Sequence, residues 1–188
     1  MPEDSAAAHP ADLLLETVAA EIEAYVGQAG WDLAPALFAL VPTRVLAADP
    51  AAAPLLGSEA AGGPDEIAAE SLTPVAQEDL PDGPLDEVLA QIGWPAEVHG
   101  CALSQEIVLL PPSAEADLTD LASAAATDAA LAHPNRREAR LVVAVLRDGR
   151  SASLLRLRDS AGGGDDDLLT GPDLAPNLVA ALRATFDD

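Results

Sequence analysis

Ala139 to Arg158 reads ARLVVAVLRDGRSASLLRLR: two apolar runs joined at Asp148-Gly149. Aspartate followed by glycine is a favoured pair for a two-residue hairpin turn, because both central positions need a positive φ that these residues tolerate. The spacing therefore predicts an antiparallel pair with Arg147 opposite Arg150, Val145 opposite Ala152 and Val143 opposite Leu154. Side chains alternate along a strand. Arg150, Arg156 and Arg158 then point one way and Leu155 and Leu157 the other, with Arg147 joining the arginines across the turn. A hairpin here makes the last strands antiparallel, whatever the rest of the chain does.

Outward from the hairpin, helical and extended patterns interleave. Pro10 to Gly27 or Gly30 carries Leu14, Leu15, Val18, Ile22, Tyr25 and Val26 at helical spacing, which predicts an amphipathic helix with Glu16, Glu21 and Glu23 on its outer side. Pro35 to Val41 reads as a buried strand closed by Pro42, and Arg44 to Ala48 as one more helical turn. Residues 49–82 lose periodicity and mix Pro, Gly, Ala and acids, as a flexible insert does, with Leu72 to Val75 as a candidate edge strand. A short helix is expected over Pro84 to Gln91, a long strand bulged near Gly100 over Val98 to Leu110, and an alanine-rich helix over Leu118 to Ala132. Asp173 is placed to cap a last helix that opens on Pro176. Gln28-Ala29-Gly30-Trp31 and Gln91-Ile92-Gly93-Trp94 echo each other, and both tryptophans are expected to be largely buried after a helix end.

The fold class implied is α+β: a single antiparallel or mixed sheet of about four strands, with helices packed mainly on one face. Residues 1–188 are read as one domain, with a frayed start (1–9) and the insert at 49–82.

The charge is unevenly distributed. All nine basic residues are arginine, and residues 1–135 hold 23 acids against the single base Arg44. The remaining residues hold eight arginines against nine acids, so nearly all of the net charge of −23 belongs to the front of the chain. Such a surface repels polyphosphate backbones and anionic lipid headgroups, so no nucleic-acid partner is expected. GC-rich codon usage and adaptation to high salt both fit a chain rich in alanine and acids without lysine; the near-neutral tail favours the first. No stretch approaches the roughly 18–20 apolar residues that span a bilayer, and no secretory pattern opens the chain. With one cysteine, Cys101, no internal disulfide can form. A cytoplasmic setting without membrane insertion is expected.

Few residues invite chemistry. His9, His99 and His133 have no metal-ligand spacing such as HxxxH or CxxC, so no metal site is expected. His99 and Cys101 sit two apart on one strand, where a buried thiol beside a partly satisfied histidine outweighs a redox pair. Asp165 to Asp167 follow three glycines, but Leu168 and Leu169 break the alternation a calcium loop needs. A phosphate loop of the Walker type is impossible without lysine. That leaves Arg147, Arg150, Arg156 and Arg158, whose guanidinium groups can grip a carboxylate or phosphate through paired hydrogen bonds. The competing reading is that they pair with the chain's own acids.

Gly30-Trp31-Asp32 with Leu37 to Val41, Gly100 to Leu103 leading to Leu109-Leu110-Pro111-Pro112, Val143 to Gly149, and Gly171 to Leu174 follow one another in an order that resembles an actinobacterial family of short, uncharacterised cytoplasmic proteins. The resemblance covers most of the chain outside residues 49–82. It implies structural motifs and no catalytic residues, and it favours codon usage as the source of the composition. Taken together, the sequence points to a non-catalytic adaptor with no cofactor, holding a protein or small acidic ligand on a sheet face or groove. An enzyme with an unrecognised carboxylate or arginine site is the alternative. Oligomeric state is left open.

Overall fold

The hairpin forms, one residue away from the expected register. In the structure, a computed structural model describing residues 10–52, 56, 71–111, 123–158, 168–171 and 174–187, strands β4 (Arg137–Leu146) and β5 (Ser151–Leu157) pair antiparallel with Val145 opposite Ser151 and Val143 opposite Ser153. Leu146 N–H donates to the Arg150 carbonyl, so the loop holds three residues, Arg147, Asp148 and Gly149. Gly149 takes φ +92°, which is the three-residue hairpin closed by a left-handed residue rather than the two-residue turn. Val145 consequently faces Ser151 in place of Ala152, and β5 presents its opposite face from the one the two-residue turn implies.

The remaining elements, in chain order, are α1 (Pro10–Gly27), β1 (Ala36–Pro42), α2 (Thr43–Ala47), β2 (Leu72–Ala76), α3 (Leu85–Leu89), β3 (Gly100–Leu109), α4 (Ser123–Ala132), β6 (Leu168–Thr170) and α5 (Pro176–Ala184). The strands form one sheet in the order β2-β1-β3-β4-β5-β6, and every pairing is antiparallel. The sheet has six strands rather than about four. The edge strand anticipated near Leu72 is present, and Leu168 and Leu169, read above only as breaking a cation loop, pair with Arg156 and Leu155 as β6. Residues 53–55 and 57–70 of the 49–82 insert lie outside the described residues, as do residues 1–9, the acidic run 165–167 and Asp173. The N-cap position of α5 is Ala175, followed by Pro176 in the first turn, and it makes no side-chain cap hydrogen bond.

Helices cover both faces, which corrects the expectation of a one-sided layer. Leu15, Val18, Ala19, Ile22 and Val26 of α1 pack on Phe38, Leu40, Ala102, Val142, Ala144 and Leu154. On the other face, Leu89 of α3 and Val179 and Leu182 of α5 pack on Leu37, Cys101, Leu103, Leu141, Val143 and Leu155. The central strands β3 and β4 are therefore apolar at consecutive positions, as strands buried on both sides must be. None of the described side chains of α4 is buried.

Two local features carry the sheet's geometry. β3 runs opposite β4 from Gly100–Leu146 to Leu109–Arg137 without interruption, so the bulge expected at Gly100 is absent. The glycine serves close approach instead: a Cβ there would lie 2.5 Å from the Val145 carbonyl oxygen and 2.6 Å from Leu146 Cδ2. In the edge strand β2, Thr43 and Gln77 donate to Ser71 and Leu37, which turns the odd-numbered backbone groups of β2 toward β1. Pro74 falls on the outward set, where its missing N–H costs no ladder bond and leaves one donor fewer on the open edge.

Candidate functional site

The four arginines singled out from the sequence do not form one face; they separate to opposite ends of the sheet. Arg156 and Arg158 lie beneath the C-terminal end of α1, where they join a residue the sequence reading passed over, Arg140. Glu106, Arg140 and Arg156 stand on one rung of β3, β4 and β5. Two arginines side by side on a sheet repel. Glu23 of α1 sits between them, with Oε1 2.8 Å from Arg156 Nε and 3.3 Å from Arg140 Nη1. Glu23 is thus buried at 3% exposure, not on the outer side of the helix, and Arg140 at 2% is among the largest fully buried side chains. Tyr25, expected inward, is 62% exposed.

Trp31 completes this end. Its ring lies 4.6 Å from the Arg140 guanidinium carbon and 5.3 Å from that of Arg158, within cation–π reach. Arg140 Nη2 also donates to the Gly30 carbonyl. Glu106 accepts the Asp32 and Leu33 N–H groups, which holds the loop after α1 against β3. Arg158 grips Asp32 through two hydrogen bonds of 2.8 and 2.9 Å and meets Glu138 at 2.7 Å. The hydrogen bond from Arg158 holds the Asp32 carboxyl below its ordinary range, and the same pairing raises Arg158. Glu23, Asp32, Glu106, Glu138, Arg140, Arg156 and Arg158 each have an internal partner. It is a structural clasp.

Arg147 and Arg150 lie at the other end, where the sheet opens into a groove of about 380 Å³. Its lining comes from five places in the chain: Leu14 of α1; Pro42 and Arg44 at the β1–α2 junction; Ser71 and Leu72 entering β2; Ala96 and His99 before β3; and Leu146 to Asp148 with Arg150 at the hairpin. Hydrogen bonds fix each wall. Thr43 Oγ1 is 2.7 Å from Ser71 Oγ and 3.0 Å from Thr73 Oγ1, which sets the backbone that carries Arg44. His99 N–H donates to the Leu40 carbonyl and its own carbonyl accepts Arg147 N–H, so the residue is pinned between β1 and β4.

The groove's cations are engaged to different degrees. Arg147 donates to the Val98, Trp94 and Pro95 carbonyls and stacks 4.7 Å over Phe186, so it ties the α3–β3 loop to the hairpin. Arg150 holds Asp148 through two hydrogen bonds of 2.9 and 2.6 Å, which lowers the Asp148 pKa. Arg44 is exposed and has no acidic partner among the described residues. Neither Arg44 nor His99 figured among the candidate site residues; the one usable signal was Arg44's isolation as the only base before position 136.

Trp94 is half-buried, as is Trp31. Its Nε1 donates to Thr185 Oγ1 at 2.9 Å and its ring stacks on Phe186. Cys101, fully buried, lies 3.8 Å from the same Thr185 oxygen. Burial pushes its thiol up to about 12, against a smaller lowering by Thr185. The contribution of the neutral thiol to folding is fully present below the ordinary thiol value of about 8.5 and is lost progressively as pH rises from there through the folded value. A maleimide at pH 7.5 should leave native protein unlabelled and modify it fully in urea; fast labelling of the folded chain would refute the buried, protonated thiol. Among the described residues no group of three or more His, Cys, Asp or Glu is placed to hold a metal ion, and no helix is long and apolar enough to cross a membrane.

A family model described as PPA1309-like protein matches residues 15–187, and the chain belongs to that family. No curated protein and no solved structure matches it. The family's description names no activity.

Proposed function

We propose that this is a non-catalytic binding protein whose end-of-sheet groove receives an acidic ligand. The observation that carries this is compositional and local at once: in a chain of net charge −23, Arg44, Arg147, Arg150 and His99 line one cavity, with Asp148 the one acid among the described lining residues. A positive concavity in a negative surface focuses field and raises the local concentration of anions. Two features favour holding over proton transfer. Asp148 is clamped by Arg150 with its pKa lowered, which makes it a poor proton carrier near neutral pH. The cysteine is buried as a neutral thiol on the α5 side of the sheet. With both faces covered by helices, the groove and not a sheet face is where a ligand is received. A cytoplasmic setting fits a free, buried cysteine, and an actinobacterial origin fits the lysine-free composition.

The test is titration of the full chain with acetate, hexanoate, succinate and inorganic phosphate, followed through backbone amide shifts. At least one anion should move the Arg44, His99 and Gly149 resonances saturably. Arg44→Gln should weaken that binding about tenfold, as expected for loss of a hydrogen bond to a charged group. Its melting temperature should hardly change, because the side chain is exposed. Saturable shifts confined to the Trp31 end, or none with any of the four anions, would sink the reading.

A further inference from the structure

Resting on that reading, we infer that the groove's ligand is a small monocarboxylic acid with an apolar tail, held by Arg44 at its head and by the groove's leucines along its body. The first argument is charge capacity. Of the three arginines in the lining, Arg147 already serves three backbone carbonyls and Arg150 gives its Nε and Nη2 to one carboxylate oxygen of Asp148. Among the described residues Arg44 has no acidic partner, which leaves it the cation open to an incoming anion. One uncommitted guanidinium matches one carboxylate, which it can meet with two parallel hydrogen bonds.

The second argument is repulsion. Asp148 stays ionised in the wall of the groove, because the Arg150 hydrogen bonds lower its pKa. A second negative charge on the ligand would be placed against that carboxylate and within the field of a strongly acidic chain. Dicarboxylates and phosphate dianions are disfavoured on both counts. Specificity of this kind comes from the group that repels as much as from the one that attracts.

The third argument is the remainder of the lining. Leu14, Pro42, Leu72, Ala96 and Leu146 are apolar and come from α1, β1, β2, the α3–β3 loop and β4, so five separate elements each contribute apolar surface to the lining. At about 380 Å³ the groove lies near the small end of the range for organic ligands. Leu146 and Leu72 also belong to or pack against the α1-side core, so their positions are set before any ligand arrives. Preformed apolar walls with one open cation define an amphipathic monoanion.

The experiment is calorimetric titration of the full chain with butanoate, hexanoate and octanoate, and with succinate, phosphate and hexanol as comparisons. Affinity should rise about fourfold per methylene while the tail still finds apolar wall, since each buried methylene contributes that factor. Succinate and phosphate should bind more weakly than butanoate. Arg44→Gln should weaken hexanoate about tenfold and leave hexanol unchanged, whereas Leu72→Ser should flatten the chain-length series and spare the head-group effect. If succinate or phosphate bound best, with Arg44 dependence but no gain from chain length, the inference would be overturned while the anion-binding groove survived. If no anion bound at all, both would fall together.

Discussion

Replacing Glu23 by alanine should cost about 3–5 kcal/mol of folding stability, the range for removing one partner of a buried ion pair. For a chain of this size each kcal/mol moves the melting temperature by about 2–4 °C, so a drop of roughly 6–20 °C is expected. The asymmetry between the two sides of the pair sets the size of the effect. Arg156 is 30% exposed and can turn to water when its partner goes. Arg140, 2% exposed, cannot. It would keep Glu106 at 3.6 Å, the Gly30 carbonyl and the Trp31 face, with its Nε already buried without a partner among the described residues. The control is Glu23→Leu combined with Arg140→Met, which removes both buried charges and should recover most of the loss. Urea unfolding of the two variants beside the unaltered protein decides the matter: a loss below about 1 kcal/mol for Glu23→Ala would place the helix face elsewhere.

Among the described glycines, Gly100→Ala should be the most damaging added methyl, at about 1–3 kcal/mol for overpacking. The added carbon meets the Val145 carbonyl, which is backbone in the ladder between β3 and β4 and has no rotamer to change. Leu146 Cδ2 and Leu40 Cδ1 close the same space from β4 and β1. Relief requires moving strands that helices clamp on both faces. Alanine at Gly93, where a Cβ meets nothing within 4 Å, is the matched comparison and should be nearly neutral. Equal urea midpoints for the two variants would contradict the close-approach role of Gly100.

What the sequence disclosed depended on whether a property was local. Asp148-Gly149 announced the hairpin, and alternation within β5 put Arg150, Arg156 and Arg158 on one side of it regardless of pairing. The register needed the turn type, and Asp-Gly serves a three-residue loop as well as a two-residue one when Arg147 is counted in. Leu141 to Leu146 runs apolar without alternation, the mark of a strand covered twice; that signal was present while a one-sided layer was expected. Glu23 follows Ala19 and precedes Val26 at helical spacing, so its burial was visible as a charge inside a stripe, but only Arg140 and Arg156 across the sheet explain it. Arg44 and His99 meet through the order β2-β1-β3-β4, which no spacing within the chain encodes.

The clasp has a consequence for how the chain is made. Glu23 emerges from the ribosome early, and the two arginines that neutralise it emerge late. Until Arg140 and Arg156 are synthesised, α1 has neither β4 and β5 to dock on nor cations to accept its buried carboxylate. Domains usually condense from the N-terminus as they appear. Here α1 can meet Phe38, Leu40 and Ala102 early, but its buried carboxylate gains its cations only when the arginine-bearing strands arrive.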